Sequence, residues 1–150
     1  MTNHVHSANS VHAGILAALH TAVFPHAAWN EQAFWGLLNH PGNLALLHDS
    51  GGFLILRIVL DEAEILTFGT TAKRRGVGSA LLLEGLERLK QAGVQELHLE
   101  VAASNQPAQL FYKKFGFIVT GRRKAYYDDG DDALTMRLLC WQSKEAETYE

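Results

Sequence analysis

Between residues 65 and 90 an apolar run, a basic turn with two glycines and a long amphipathic helix follow one another, and no other stretch constrains the fold as tightly. Ile65-Leu66-Thr67-Phe68 reads as a strand, while Ala80-Leu81-Leu82-Leu83, Leu86 and Leu89 recur at helical spacing as far as Lys90. Between them stands Lys73-Arg74-Arg75-Gly76-Val77-Gly78-Ser79-Ala80. Such a turn presents the unsatisfied N–H groups of a helix N-terminus, where free donors and the positive end of the macrodipole both favour an anion. Gly76 and Gly78 carry no side chain to obstruct its approach. Lys73, Arg74 and Arg75 add charge for a ligand with several phosphates. Taken alone, the turn fits a plain connection between strand and helix equally well.

The spacing disfavours the two better-known phosphate loops. Neither Gly-x-x-x-x-Gly-Lys-Ser/Thr nor Gly-x-Gly-x-x-Gly is present, which argues against a nucleotide hydrolase and an NAD-dependent dehydrogenase. A net charge of −3 gives no broad nucleic-acid signature, so no direct nucleic-acid partner is expected. With 150 residues and 47% hydrophobic content, one domain spanning 1–150 is expected. The single cysteine, Cys140, suits a reducing cytoplasm and reads as a small residue at a strand end rather than a nucleophile. No stretch approaches the roughly 20 apolar residues of a membrane-spanning helix, and the start Met1-Thr2-Asn3-His4 is no signal peptide. A soluble, cytoplasmic protein without a membrane partner is the expectation. His4, His6 and His12 lack the companions of a metal site, so no metal is expected, and residues 1–9 and 143–150 read as flexible ends.

The remaining elements follow from caps and periodicity. Ser10 is placed to cap a first helix that ends near Phe24-Pro25, and Asn30 caps a second, short one carrying Phe34, Leu37 and Leu38. Residues 44–48, 53–60 and 64–68 read as three strands of an antiparallel meander. After the long helix come a strand at 96–102, a helix at 105–115 capped by Ser104, and strands at 117–124 and 133–138. The fold class is therefore α/β: a mixed central sheet, with an antiparallel meander followed by strand–helix–strand–helix–strand.

Alternation in Glu96-Leu97-His98-Leu99-Glu100-Val101 puts the polar residues on one face and the apolar ones on the other. The strand lies between two helices in sequence, so right-handed connections place it inside the sheet, where a carboxylate such as Glu100 fits the wall of a cleft.

Beyond it, Glu100-Val101-Ala102-Ala103-Ser104-Asn105-Gln106-Pro107-Ala108-Gln109-Leu110-Phe111-Tyr112-Lys113-Lys114-Phe115-Gly116-Phe117 resembles the Glu-Val-x-x-x-Asn-x-x-Ala-x-x-Leu-Tyr-x-x-x-Gly-Phe pattern of the bacterial ribosomal-protein-alanine N-acetyltransferases in the GNAT superfamily. Arg122-Arg123-Lys124-Ala125-Tyr126-Tyr127, Asp132-Ala133-Leu134-Thr135-Met136 and the upstream Phe24-Pro25 with Trp29 are similar to further segments of that family. The turn at 73–80 resembles the superfamily's Arg/Gln-x-x-Gly-x-Gly/Ala signature for the pyrophosphate of acetyl-coenzyme A, with Lys73 where Gln or Arg is usual.

The resemblance implies a GNAT-like sheet with helices on both faces and acetyl-coenzyme A as co-substrate. It implies that Arg74, Arg75, Gly76, Val77, Gly78 and Ser79 hold the pyrophosphate, that main-chain groups of Leu66, Thr67 and Phe68 meet the thioester where the strands splay, and that Asn105 bonds the pantetheine or holds the helix start. Glu100 then takes the amine proton, directly or through water, and Tyr112 donates to the departing sulfur. A phenol of pKa about 10 facing a thiolate near 8.5 makes that transfer nearly balanced. The implied acceptor is a protein N-terminus, that of a ribosomal protein beginning with Ala. Tyr126, Tyr127 and the acidic loop 128–132 are candidates for contacting it. A small-molecule amine as acceptor, and a non-catalytic module that binds acyl-coenzyme A, are the alternative readings; oligomeric state stays open.

Overall fold

The third strand of the sheet explains the architecture. Phe53, Leu54, Ile55 and Leu56 follow one another in the chain and all four are fully buried. A strand covered on both faces has no solvent side, so its apolar residues run on without alternating. Leu54 and Leu56 enter a core shared with Leu81, Leu82 and Leu89, while Phe53 and Ile55 enter a second core with Leu16 and Phe34.

A computed structural model describes residues 4–72 and 76–140. In chain order the elements are β1 (Val5–Ser7), a 3₁₀ turn (Ser10–His12) running into α1 (Ala13–Val23), α2 (Glu31–Leu38), β2 (Asn43–His48), β3 (Gly52–Val59), β4 (Glu62–Thr70), α3 (Val77–Gln91), β5 (Glu96–Ala102), α4 (Gln106–Lys114), β6 (Ile118–Arg123) and β7 (Ala133–Leu139). Among the described residues the seven strands form one sheet in the order β1-β2-β3-β4-β5-β7-β6. Only β4 and β5 run parallel, joined by the crossover through α3. α1 and α2 cover one face; α3 and α4 cover the other. This is the mixed α/β architecture expected from the sequence, with β5 inside the sheet as its flanking helices required. α3 sits close on β3 because Gly85 faces it: a Cβ there would lie 2.8 Å from Leu54 Cδ2.

Three local expectations are corrected. The N-terminal segment, read as flexible, contains β1, which pairs antiparallel with the edge of β2. His4 Nδ1 and His6 Nε2 reach Asp49 at 3.1 and 2.8 Å, and Arg88 of α3 donates to Ser7 Oγ at 2.7 Å. The first helical segment is capped by Asn9 rather than Ser10, with the Asn9 side chain accepting from Val11 N–H and its own N–H donating to His12 Nδ1. Asn105, not Ser104, caps α4. Asn30 caps α2 as expected, its Oδ1 accepting from Ala33 N–H at 2.8 Å.

At the far edge, β6 is exposed along most of its length and slips register against β7 between Val119 and Gly121. The expected strand ends at 60, 68 and 124 shift by one or two residues.

Truncating the side chain that α3 clasps at Gly85 leaves a cavity in the larger core. Leu54→Ala is expected to lower the unfolding free energy by about 2–5 kcal/mol, read as a lower urea midpoint at unchanged slope.

Candidate active site

β4 and β5 pair at three positions only: Glu62 with Glu96, Ala63 with Leu97 and Glu64 with His98. β4 continues to Thr70 and β5 to Ala102, yet no pairing joins them beyond that point. On its other side β4 slips register against β3. Leu56 faces Ile65 and Ile55 faces Thr67, which leaves Leu66 as an extra residue. A bulge of this kind bends the strand and sharpens its twist. The result is a wedge-shaped opening in the middle of the sheet, along which the main chain of residues 65–70 has no ladder partner in β5.

The bulge also sorts the side chains. Ile65 and Phe68 pack into the α3/α4 layer, whereas Leu66 and Thr67, adjacent in the chain, both turn to the α1/α2 layer. Glu100 stands on that second side, since its neighbours Leu99 and Val101 are buried in the first. Of the three polar residues on its strand face, only Glu100 lies past the last position paired with β4. His98 Nε2 is 3.0 Å from Glu62 Oε1, and Glu96 Oε1 forms an ion pair with Arg137 Nη1 at 3.6 Å, so both side chains have close neighbours across the closed part of the sheet.

Tyr112 lies on the opposite side of the opening. It is 8% exposed and surrounded by the rings of Phe68, Phe111 and Phe117 at centroid distances of 6.2, 5.5 and 5.4 Å. Burial pushes its phenol pKa well above the ordinary tyrosine value. The phenol is therefore a weaker acid than the pKa of about 10 used for the balanced transfer above. The proton stays on oxygen at neutral pH, so the phenol is a standing hydrogen-bond donor in the buried site.

Glu100 opens into a hollow of about 490 Å³ whose walls include Trp29, Leu66, Arg123, Tyr126 and Tyr127. Arg123 Nε is 3.5 Å from Glu100 Oε2, and its guanidinium lies 5.6 Å from the centre of the Tyr126 ring. Tyr126 and Tyr127 meet edge to face at 5.1 Å. Burial raises the Tyr127 phenol, and the nearby Glu100 adds to the shift.

The loop carrying these tyrosines is pinned by the acidic residues that follow. Asp132 accepts from Ala125 N–H at 2.8 Å and from Arg122 Nε at 2.6 Å, and these two donors hold its carboxyl below the ordinary aspartate value. The Asp131 carbonyl accepts from Tyr127 N–H, and its carboxylate bonds Ser104 Oγ at the start of α4. Part of the acidic loop is thus consumed in shaping the hollow.

α3 is preceded by Gly76, whose φ of +73° lies in the left-handed region that favours glycine. Among the described residues no side chain caps this end, so the N–H groups of Val77, Gly78 and Ser79 point off the helix. A Cβ on Gly78 would stand 3.6 Å from Phe111 and 3.7 Å from Phe68, an ordinary contact, so protein packing alone does not require glycine there. Lys73, Arg74 and Arg75 lie outside the described residues.

The remaining expected residues fall into two groups. Leu66 lines the hollow, and Phe68 packs beside Tyr112. Thr67 turns its hydroxyl to His20, leaving only its main chain for the opening, and Asn105 Oδ1 accepts from Ala108 N–H at 3.2 Å. Arg123, Trp29, Thr135 and Met136 line the hollow in addition to the expected site residues. Thr135 and Met136 face Glu100 and Leu99 across the β5/β7 ladder, a placement that no local signal carries. Among the described residues, no group of histidines, cysteines and carboxylates could hold a metal ion, and no helix is long and apolar enough to cross a membrane.

A splayed parallel pair beside a bulged strand gives the middle of the sheet an opening that a continuous sheet lacks. Residues 14–117 match the model of the acetyltransferase (GNAT) family. The chain belongs to the GNAT family and is an N-acetyltransferase by descent. It is 35% identical to the ribosomal protein bS18-alanine N-acetyltransferase of Escherichia coli K12 over 134 residues, covering 81% of this chain and 88% of that one. The Salmonella typhimurium protein of the same name is 36% identical over 118 residues, covering 73% and 80%. Among solved structures, the E. coli ribosomal-protein-S18-alanine N-acetyltransferase superposes with a TM-score of 0.81 at 29% identity over 91% of this chain and 92% of that one. Arabidopsis thaliana NAA60, solved in complex with acetyl-CoA, shares the fold with a TM-score of 0.78 at 20% identity over 90% and 97%.

If Asp132 pins the tyrosine loop, Asp132→Ala is expected to speed hydrogen exchange at the Ala125 amide by about tenfold, the worth of one charge-assisted hydrogen bond. In the unsubstituted protein the sign follows from the lowered carboxyl: protection is whole above the ordinary aspartate value and is lost as pH falls through it and below. Amide exchange followed by NMR from pH 7 to 3 checks both.

Proposed function

We propose that this chain is a cytoplasmic acetyltransferase that moves the acetyl group of acetyl-coenzyme A to the α-amine of a protein N-terminus, that of a ribosomal protein beginning with Ala. The observation that carries the reading is the opening between β4 and β5, with Glu100 on one side of the sheet and Tyr112 on the other. Two substrates can meet there only by approaching from opposite faces, which fits direct attack in a ternary complex. Cys140 is not needed as an acyl carrier: burial pushes its thiol to about 11, so it remains protonated.

Acetyl-coenzyme A supplies an activated acyl group and a thiolate leaving group. The chain's own residues do the rest. The N–H groups of Val77, Gly78 and Ser79, which no side chain caps among the described residues, and the left-handed turn at Gly76 suit a pyrophosphate, with Arg74 and Arg75 adding charge. Asn105 holds the start of α4 beside the pantetheine. The main chain from Leu66 to Phe68, which has no ladder partner in β5, offers donors where the carbonyl oxygen gathers charge. Glu100 receives the proton from the attacking amine, directly or through water. Tyr112, buried and protonated, hydrogen-bonds the departing sulfur. Because its acidity is low, its contribution is to stabilise the developing thiolate, with the proton following late.

Magnitudes favour an α-amine. Its pKa of about 7.7–8.0 lies roughly 2.5 units below that of lysine, so its neutral form at pH 7 costs about 3.5 kcal/mol less to reach. One carboxylate is then a sufficient base. The relatives named for the alanine of bS18 support an Ala-starting acceptor, with Tyr126 and Tyr127 as its neighbours in the hollow.

Acetylation of Ala-starting peptides tests the reading. Glu100→Gln is expected to lower kcat by about 10²-fold or more, in the range of a general base, and Tyr112→Phe to lower it less. No turnover by the parent enzyme, or full turnover by the double variant, would sink the proposal. Separately, Gly76→Val forces a β-branched residue to a positive φ, and calorimetry is expected to show acetyl-coenzyme A binding weakened while Ala-peptide binding persists.

A further inference from the structure

His20 is a titratable side chain with no place in the chemistry above, yet it is 3% exposed and fully engaged. Its Nδ1 accepts from the backbone N–H of Trp29 at 3.1 Å. The neutral ring therefore carries its proton on Nε2, which lies 3.2 Å from Thr67 Oγ1 and donates to it. The imidazole stacks on the Trp29 indole at a centroid distance of 4.8 Å and an interplanar angle of 21°. Thus one ring joins three places: helix α1, the residue next to the β4 bulge, and the tryptophan that walls the hollow containing Glu100.

We propose that His20 is a positioning residue for the acceptor: it fixes Trp29 against the bulged strand and so sets the width of the hollow in front of Glu100. The inference rests on the acceptor reading of that hollow. Trp29 lies in the connection between α1 and α2, outside any helix or strand, so its place depends on side-chain and backbone bonds such as this one. Thr67 is fixed by its ladder to Ile55, and the imidazole transmits that fixed position to Trp29. The arrangement requires the neutral ring, because a proton on Nδ1 would face the Trp29 N–H. Phe24, Trp29, Phe34 of α2, Phe53 of β3 and Thr67 of β4 face the ring, and none is charged. Burial lowers the His20 pKa accordingly, so the contact is whole above the ordinary histidine value and is lost as pH falls below it.

Steady-state kinetics on His20→Phe and His20→Asn separate positioning from a merely structural role. His20→Phe keeps a ring but leaves the Trp29 N–H without its acceptor; the KM for an Ala-starting peptide is expected to rise about tenfold, the worth of one buried hydrogen bond. The kcat and the KM for acetyl-coenzyme A are expected to stay within about twofold, since neither depends on that bond. His20→Asn restores an acceptor near the Nδ1 position and is expected to recover most of the peptide KM. A fall in kcat with both KM values unchanged, or no change in any constant, would overturn the proposal. An independent arm uses the protein with Trp35 and Trp141 replaced by Phe, so that Trp29 alone emits. Its fluorescence is expected to titrate with a midpoint below 6.5, the ordinary histidine value, and to lose that step in His20→Asn. A flat titration overturns the contact itself, whether or not peptides are acetylated. Absence of peptide turnover with the titration intact instead overturns the acceptor reading.

Discussion

Everything at the centre of this molecule depends on one residue too many in β4. Leu66 has no counterpart in β3, and the ladder can resume at Ile55 and Thr67 only if β4 bends. The bend parts β4 from β5 after Glu64 and His98, which is where a parallel pair in a continuous sheet would have gone on bonding. A sheet normally satisfies its own main chain. Here a stretch of it is left without a partner strand in the interior. The structure tolerates this because β3 next door is buried on both sides and anchors β4 through the rest of its length.

The two faces of the opening differ in chemistry. On the α3/α4 side stand four rings, Phe68, Phe111, Tyr112 and Phe117, in an apolar setting that disfavours charge. On the α1/α2 side stand Glu100 and Arg123, with a loop of tyrosines held by Asp132. On the proposed reading this division suits the reactants. A thioester and its long thin arm pass along the apolar side, whereas an amine that must shed a proton arrives at the carboxylate. On the same proposed reading, burial keeps the Tyr112 phenol protonated, which suits it to donate a hydrogen bond to the departing sulfur.

Much of this was legible in the chain. The alternation 96–101 located β5 and the side on which Glu100 stands, and a strand bracketed by helices had to be internal. The glycine turn located the start of α3, because Gly76 adopts a positive φ. Other features were hidden for physical reasons. A bulge exists only relative to a partner strand, so nothing within 62–70 announces it. β1 is three residues long and gains its place through His4, His6 and Arg88 contacts with distant residues. Ser104 and Asn105 are adjacent and both competent as caps; Asp131 takes the first, which leaves the cap to the second. His20 lies on an amphipathic helix where polar residues usually face water, and only the packing of α1 against β4 shows that it points inward.

The two margins of the sheet carry a different lesson. An open sheet exposes a row of unpaired main-chain groups along each outer strand, and such rows invite other chains to add themselves. At one margin β1 covers β2 for just three residues and is itself too short to template a further strand. At the other, β6 breaks its regular pairing between Val119 and Gly121, so its edge is not a straight row of bonding groups. A brief margin and a crooked one make both edges of the described seven-stranded sheet poor templates, while the opening between β4 and β5 lies in its middle.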